Sequence, residues 1–207
     1  MSAASTNTTQ KPLRVGVLYE EVQMSDLIGL DLLGYHTPKV MAINVEIAPQ
    51  LAPLMEHTTP MDFHYISSSL PTTWVTPAMN VQPTHTYETA PRDLDILVIG
   101  GPNPGTVPEA SLTFLREAAK QTKIILTTCT GGMWLAKSGV LDGKKATTNR
   151  QALEVSKQFF PKVEWLDQRW VIEDGLFEGA KIWTGGGAGC GESSSLSILI
   201  YTGVIIF

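Results

Sequence analysis

Leu94-Asp-Ile-Leu-Val-Ile99 is a nearly continuous apolar run that stops on Gly100-Gly101-Pro102. A strand apolar on both faces suits a parallel sheet covered on both sides. Lys123-Ile-Ile-Leu-Thr-Thr128 has the same character and runs straight into Cys129-Thr130-Gly131-Gly132. Around these two runs, strand-like and helix-like segments alternate, which predicts an α/β fold with a mostly parallel central sheet.

Leu13–Tyr19 reads as the first strand, followed by a helix from Ser25 to about Gly34 with Ser25 as its N-cap and Asp26 in its first turn. Met41–Ala48 reads as a second strand, and Met61–Ser68 with Thr73–Met79 as a hairpin-like excursion. Helices are expected over Pro108–Gln121, Met133–Ser138 and Gln151–Phe160. Short strands are expected over Lys145–Thr148, Val163–Leu166, Trp170–Ile172 and Ile182–Thr184. Residues 1–12 read as a polar, disordered leader, residues 13–192 as one domain, and Ser193–Phe207 as an atypical apolar tail without helical amphipathicity.

With 207 residues, 43% hydrophobic and 17% charged, the chain has apolar material for one core and too little charge for a disordered protein. A net charge of −5 and no extended Lys/Arg run argue against nucleic acid as a partner. The apolar stretch Leu196–Phe207 is far shorter than the ~20 residues a membrane helix needs, so a soluble, cytoplasmic protein that meets no membrane is expected. Two cysteines, Cys129 and Cys190, make no disulfide framework, and no spacing suggests a metal site.

In open α/β sheets, ligands gather at the carboxyl ends of the strands. Gly100-Gly101, Cys129-Thr130-Gly131-Gly132 and the glycine run from Gly185 to Gly189 all fall there. A nucleophile on a sharp strand-to-helix turn stands exposed at the top of the sheet, and Cys129 takes that place, with Thr127 and Gly131 at the flanking positions. A helix N-terminus favours thiolate, so the Cys129 pKa is expected well below the free value of ~8.5. The alternative is a buried core thiol. Cys190, after the glycine run, reads as packing. His36, His57, His64 and His85 all lie in the N-terminal half, and none neighbours Cys129, so no Cys-His-Asp set can be assembled. Asp26 also falls at the carboxyl end of the sheet, although a residue interacting with the helix dipole would look the same.

Asp95–Gly101 (DILVIGG), Thr128–Gly143 (TCTGGMWLAKSGVLDG), Ala146-Thr-Thr148 and Trp170–Gly175 (WVIEDG) resemble the DJ-1/PfpI superfamily, most closely its isonitrile hydratase-like branch. The resemblance covers roughly Arg14 to Gly191 and implies a flavodoxin-like sandwich, a homodimer, and no cofactor. It places the nucleophile at Cys129, an acid touching the sulfur at Asp26, and an assisting hydroxyl at Thr130. Gly100, Gly101 and Gly131 fall on the substrate-binding turns, and the N–H groups of Gly101 and Thr130 are expected to stabilise an anion. Three departures stand out. Asn149-Arg150 replaces a His-containing pair, Leu30 replaces a proline, and GGGAGCGE with the apolar tail replaces the family's closing motif and long helix.

The activity the resemblance implies is hydration of a small isonitrile to an N-substituted formamide. A glutathione-independent glyoxalase and a non-enzymatic cysteine redox sensor or chaperone-like dimer are the rival expectations.

Overall fold

The computed structural model describes residues 11–71 and 73–187. The leader up to residue 10, the apolar tail and Cys190 lie outside the described residues.

The central sheet forms as the two apolar runs require. Strand β1 (Leu13–Leu18) lies between β2 (Met61–Ser67) and β6 (Ile96–Ile99), and β6 pairs in turn with β7 (Ile124–Thr128). All of these pairings are parallel; Val15 stands opposite Ile96, and Ile99 opposite Thr127. Strand β5 (His85–Thr86) extends the sheet beyond β2. On the other side, β11 (Lys181–Gly185) is parallel to β7, and β10 (Trp170–Asp174) closes the edge antiparallel to β11. Among the described residues the order is therefore β10-β11-β7-β6-β1-β2-β5, a mostly parallel seven-stranded sheet with helices packed against it. Every residue of β6 and β7 is buried, so both faces of the sheet are covered and the flavodoxin-like sandwich is met.

Helix α3 (Glu109–Ala118) buries Leu112, Phe114, Leu115 and Ala118 in the core. Helix α4 (Gly131–Lys137) follows β7 after a two-residue turn and buries Trp134 completely, with the indole N–H donating to Ser111 Oγ at 2.9 Å. A buried indole needs such an acceptor. Helix α5 (Leu153–Phe159) comes after β8 (Lys145–Ala146) and precedes β9 (Glu164–Trp165), which pairs with β8.

Three sequence expectations are corrected. Met41–Ala48 lies in a helix, α2 (Pro38–Ile47). Thr37 Oγ1 accepts the Val40 N–H and Pro38 occupies the first turn, so the N-terminal signal outweighs the alternation of Met41, Ile43, Val45 and Ile47. Met61–Ser67 is an interior parallel strand rather than one arm of a hairpin; the hairpin is built from β3 (Thr73–Val75) and β4 (Met79–Val81). The segment after β1 is a 3-10 turn, Met24–Leu27, followed by α1 (Gly29–Tyr35). Ser25 sits inside that turn and caps nothing.

Candidate active site

Cys129 joins β7 to α4 with φ at +53°, in the left-handed region that a side chain enters only under constraint. The constraint is visible on both sides. Thr148 Oγ1 donates to the Cys129 carbonyl at 2.9 Å, and Thr128 Oγ1 donates to the Asp26 carbonyl at 2.9 Å. Gly131 lets the turn approach the sheet, because a Cβ there would lie 2.4 Å from the Ile99 carbonyl oxygen and 2.7 Å from that of Gly100. Its contribution is a close backbone approach. Gly100 is held under the Leu27 side chain in the same way, with a Cβ falling 3.1 Å from Leu27 Cδ2.

Asp26 reaches the sulfur from the 3-10 turn. It is 3% exposed, too buried for a surface residue that merely faces a helix dipole, and its carboxyl hydrogen-bonds with the Cys129 thiol. Asp26 Oδ2 accepts the Gly101 N–H at 3.1 Å. The Gly101 N–H is thus given to Asp26, and the backbone donor at the sulfur is the Thr130 N–H. The Thr130 hydroxyl makes no cap for α4 and donates instead to the Pro102 carbonyl at 2.7 Å.

Sequence reasoning missed Asn149 as a partner of Cys129. Its Nδ2 donates to Cys129 Sγ at 3.2 Å, from the position where the motif departed from its relatives. That departure was the available signal. Among the described residues, the groups acting on the sulfur are Asp26, Asn149 and the Thr130 N–H.

The expected depression of the Cys129 pKa is corrected by its surroundings. Burial pushes the thiol up and the negative charge of Asp26 adds to this, while the Asn149 amide and Thr130 N–H pull the other way without prevailing. Burial also raises Asp26, against the Gly101 and Cys129 hydrogen bonds that lower it. The two acids titrate as a coupled pair, in which the hydrogen bond between them lowers Asp26 and raises Cys129. A short helix of seven residues does not offset the desolvation of sulfur beside a carboxylate.

Residues 57–185 match the family model of the DJ-1/PfpI family. The chain belongs to the DJ-1/PfpI family. It is 25% identical over 190 residues to an isonitrile hydratase of Pseudomonas putida, covering 90% of this chain and 70% of that protein. It is also 26% identical over 116 residues to the HTH-type transcriptional regulator GbdR of Pseudomonas aeruginosa, covering 56% of this chain and 32% of the regulator. Among solved structures, a ThiJ/PfpI family protein from Pseudomonas syringae superposes with a TM-score of 0.68 at 20% identity, over 97% of this chain and 75% of that one. The relatives of this chain thus include a protein named as an enzyme and one named as a transcriptional regulator.

Among the described residues, no group of three or more His, Cys, Asp or Glu side chains is placed to hold a metal ion. Nor is any helix among them long and apolar enough to cross a membrane.

Proposed function

We propose that the protein is a cysteine-dependent hydro-lyase that converts a small isonitrile to an N-substituted formamide. The observation that carries this reading is the Cys129–Asp26 pair, a thiol in hydrogen-bond contact with a carboxyl group, the two residues 6% and 3% exposed. The similarity to isonitrile hydratase across 90% of the chain supports it.

In this reading the Cys129 sulfur bonds to the terminal isonitrile carbon while Asp26 takes the thiol proton and returns it to that carbon, giving a thioimidate. Water then adds across the C=N bond, and the nitrogen gains a proton. The C–S bond breaks as the carbonyl forms, with the hydroxyl proton returning through Asp26 to sulfur. Thr130, its hydroxyl proton committed to Pro102, orients the water as an acceptor. Gly100, Gly101 and Gly131 shape the turns that bring these groups together. No step calls on a cofactor. A cytoplasmic homodimer is the working assembly that the family resemblance supports.

A second reading is a sensing domain in which Cys129 and its neighbours bind a small molecule without turnover. The match to a transcriptional regulator favours it. Incubating the protein separately with an aliphatic isonitrile and with methylglyoxal, with products followed by NMR, separates these readings. Formamide from the isonitrile is expected. Lactate from methylglyoxal, or no product from either, would overturn the hydratase reading.

A further inference from the structure

The Asn149 amide makes two hydrogen bonds whose directions fix each other. Its Oδ1 accepts the Gln151 N–H at 2.9 Å, at the start of the 3-10 turn Arg150–Ala152. The Nδ2 group is thereby aimed at Cys129 Sγ, 3.2 Å away. An amide free to flip would have presented oxygen to the sulfur half of the time; here the oxygen has a backbone donor to satisfy. The preceding residue, Thr148, is 1% exposed and donates to the Cys129 carbonyl. Two consecutive side chains thus grip one cysteine, one by its backbone and one by its sulfur.

We propose that Asn149 is a positioning residue for the chemistry of Cys129, an uncharged donor held ready for the negative charge that develops on sulfur. The proposal rests on Cys129 being the reacting group. It adds that the partner opposite Asp26 does not itself titrate. A neutral thiol is a weak acceptor, whereas a hydrogen bond to an ionised acceptor is roughly twice as strong, so the amide favours the thiolate over the thiol. The groups facing the sulfur are Asp26 from the turn after β1, the Thr130 N–H from the start of α4, and Asn149 from the segment after β8. Of these side chains, Asp26 is the one whose charge opposes the thiolate. Asn149 supplies a compensating donor without bringing a second ionisable group into the site.

A role limited to capping makes a different forecast. Ser and Asp both retain a side-chain oxygen able to accept the Gln151 N–H. Ser is too short to reach the sulfur, and an ionised Asp cannot donate to it. The test is the rate of Cys129 alkylation by iodoacetamide against pH, read on the Cys129 peptide by mass spectrometry, for wild type, Asn149→Ser and Asn149→Asp. Thermal melting is measured on the same samples. The expected result is a profile displaced to higher pH, with alkylation below the midpoint slowed roughly tenfold in Asn149→Ser and further in Asn149→Asp. Asn149→Gln, which retains a donor, is expected to fall closer to wild type. Profiles of Asn149→Ser and Asn149→Asp that coincide with wild type would overturn the proposal, as would a wild-type Cys129 that stays unreactive across the range. Alkylation needs no isonitrile turnover, so failure of the hydratase reading leaves this result interpretable.

Discussion

Gly101 N donates to Asp26 Oδ2 at 3.1 Å, and this bond is what points the carboxyl of one loop at the sulfur of another. A Cβ on residue 101 would stand 2.6 Å from Asp26 Oδ2, 2.8 Å from Thr130 Oγ1 and 3.0 Å from Cys129 Cβ. Gly101→Ala therefore pushes at once on three side chains of the site. The expected outcome is a folded protein that loses about 1–3 kcal/mol of stability and most of its turnover. Urea denaturation and product formation measured on the same preparation check this; unchanged values for both would mean that the site has slack that its geometry does not show.

Asp26 separates thiol acidity from catalysis. Burial raises its pKa, and its negative charge in turn raises that of Cys129. Asp26→Asn keeps the shape and removes the charge, so the Cys129 thiolate should form at lower pH and alkylate faster near neutrality. Turnover should fall steeply at the same time, because the proton carrier is gone. The linked stability effect has a definite sign. A carboxyl with a raised pKa contributes stability fully below the ordinary carboxylate value and loses it as pH rises through the raised one. The substitution should therefore flatten that part of the stability–pH curve. Slower alkylation in the variant would reverse the assigned electrostatics.

Asp95 supports the opposite end of the sheet. Its Oδ2 accepts the Arg14 N–H at 2.8 Å and its Oδ1 accepts from Lys123 Nζ at 2.6 Å, tying the starts of β1, β6 and β7. Burial pushes its carboxyl up, but the Lys123 and Arg14 hydrogen bonds outweigh that and hold it below the usual carboxylate range. Its stabilisation is present above the ordinary carboxylate value and disappears as pH falls through the lowered one. Asp95→Asn should cost about 1–2 kcal/mol at neutral pH and nothing in strong acid. Urea midpoints at the two pH values test it, and equal midpoints at neutrality would contradict it.

The parts of this molecule legible in its sequence are those governed by local pattern. The apolar runs before Gly100 and Cys129 specify β6 and β7, because strands covered on both faces have no polar face to show. The elbow was legible for the same reason, as a strand ending on a nucleophile and two glycines. Helix α2 was not, since Ile43 and Ile47 are 50% and 79% exposed and imitate a strand's alternation, while the deciding signal is the Thr37-Pro38 start. The Cys129 pKa was misjudged because burial and Asp26, distant in sequence, are tertiary effects. Asn149 was visible as a departure from a motif, but its contact with sulfur depends on the turn that follows β8.

The role of Cys129 is tested most directly by formamide production from a small isonitrile, measured by NMR for wild type and Cys129→Ala. Alanine removes the sulfur while leaving the turn held by Thr148, so thermal melting should confirm an intact fold. The expected result is formamide from the wild type and at least a thousandfold lower rate in the variant, about 4 kcal/mol of transition-state stabilisation. A Cys129→Ala protein that makes formamide at the wild-type rate would contradict the assignment of the chemistry to this sulfur.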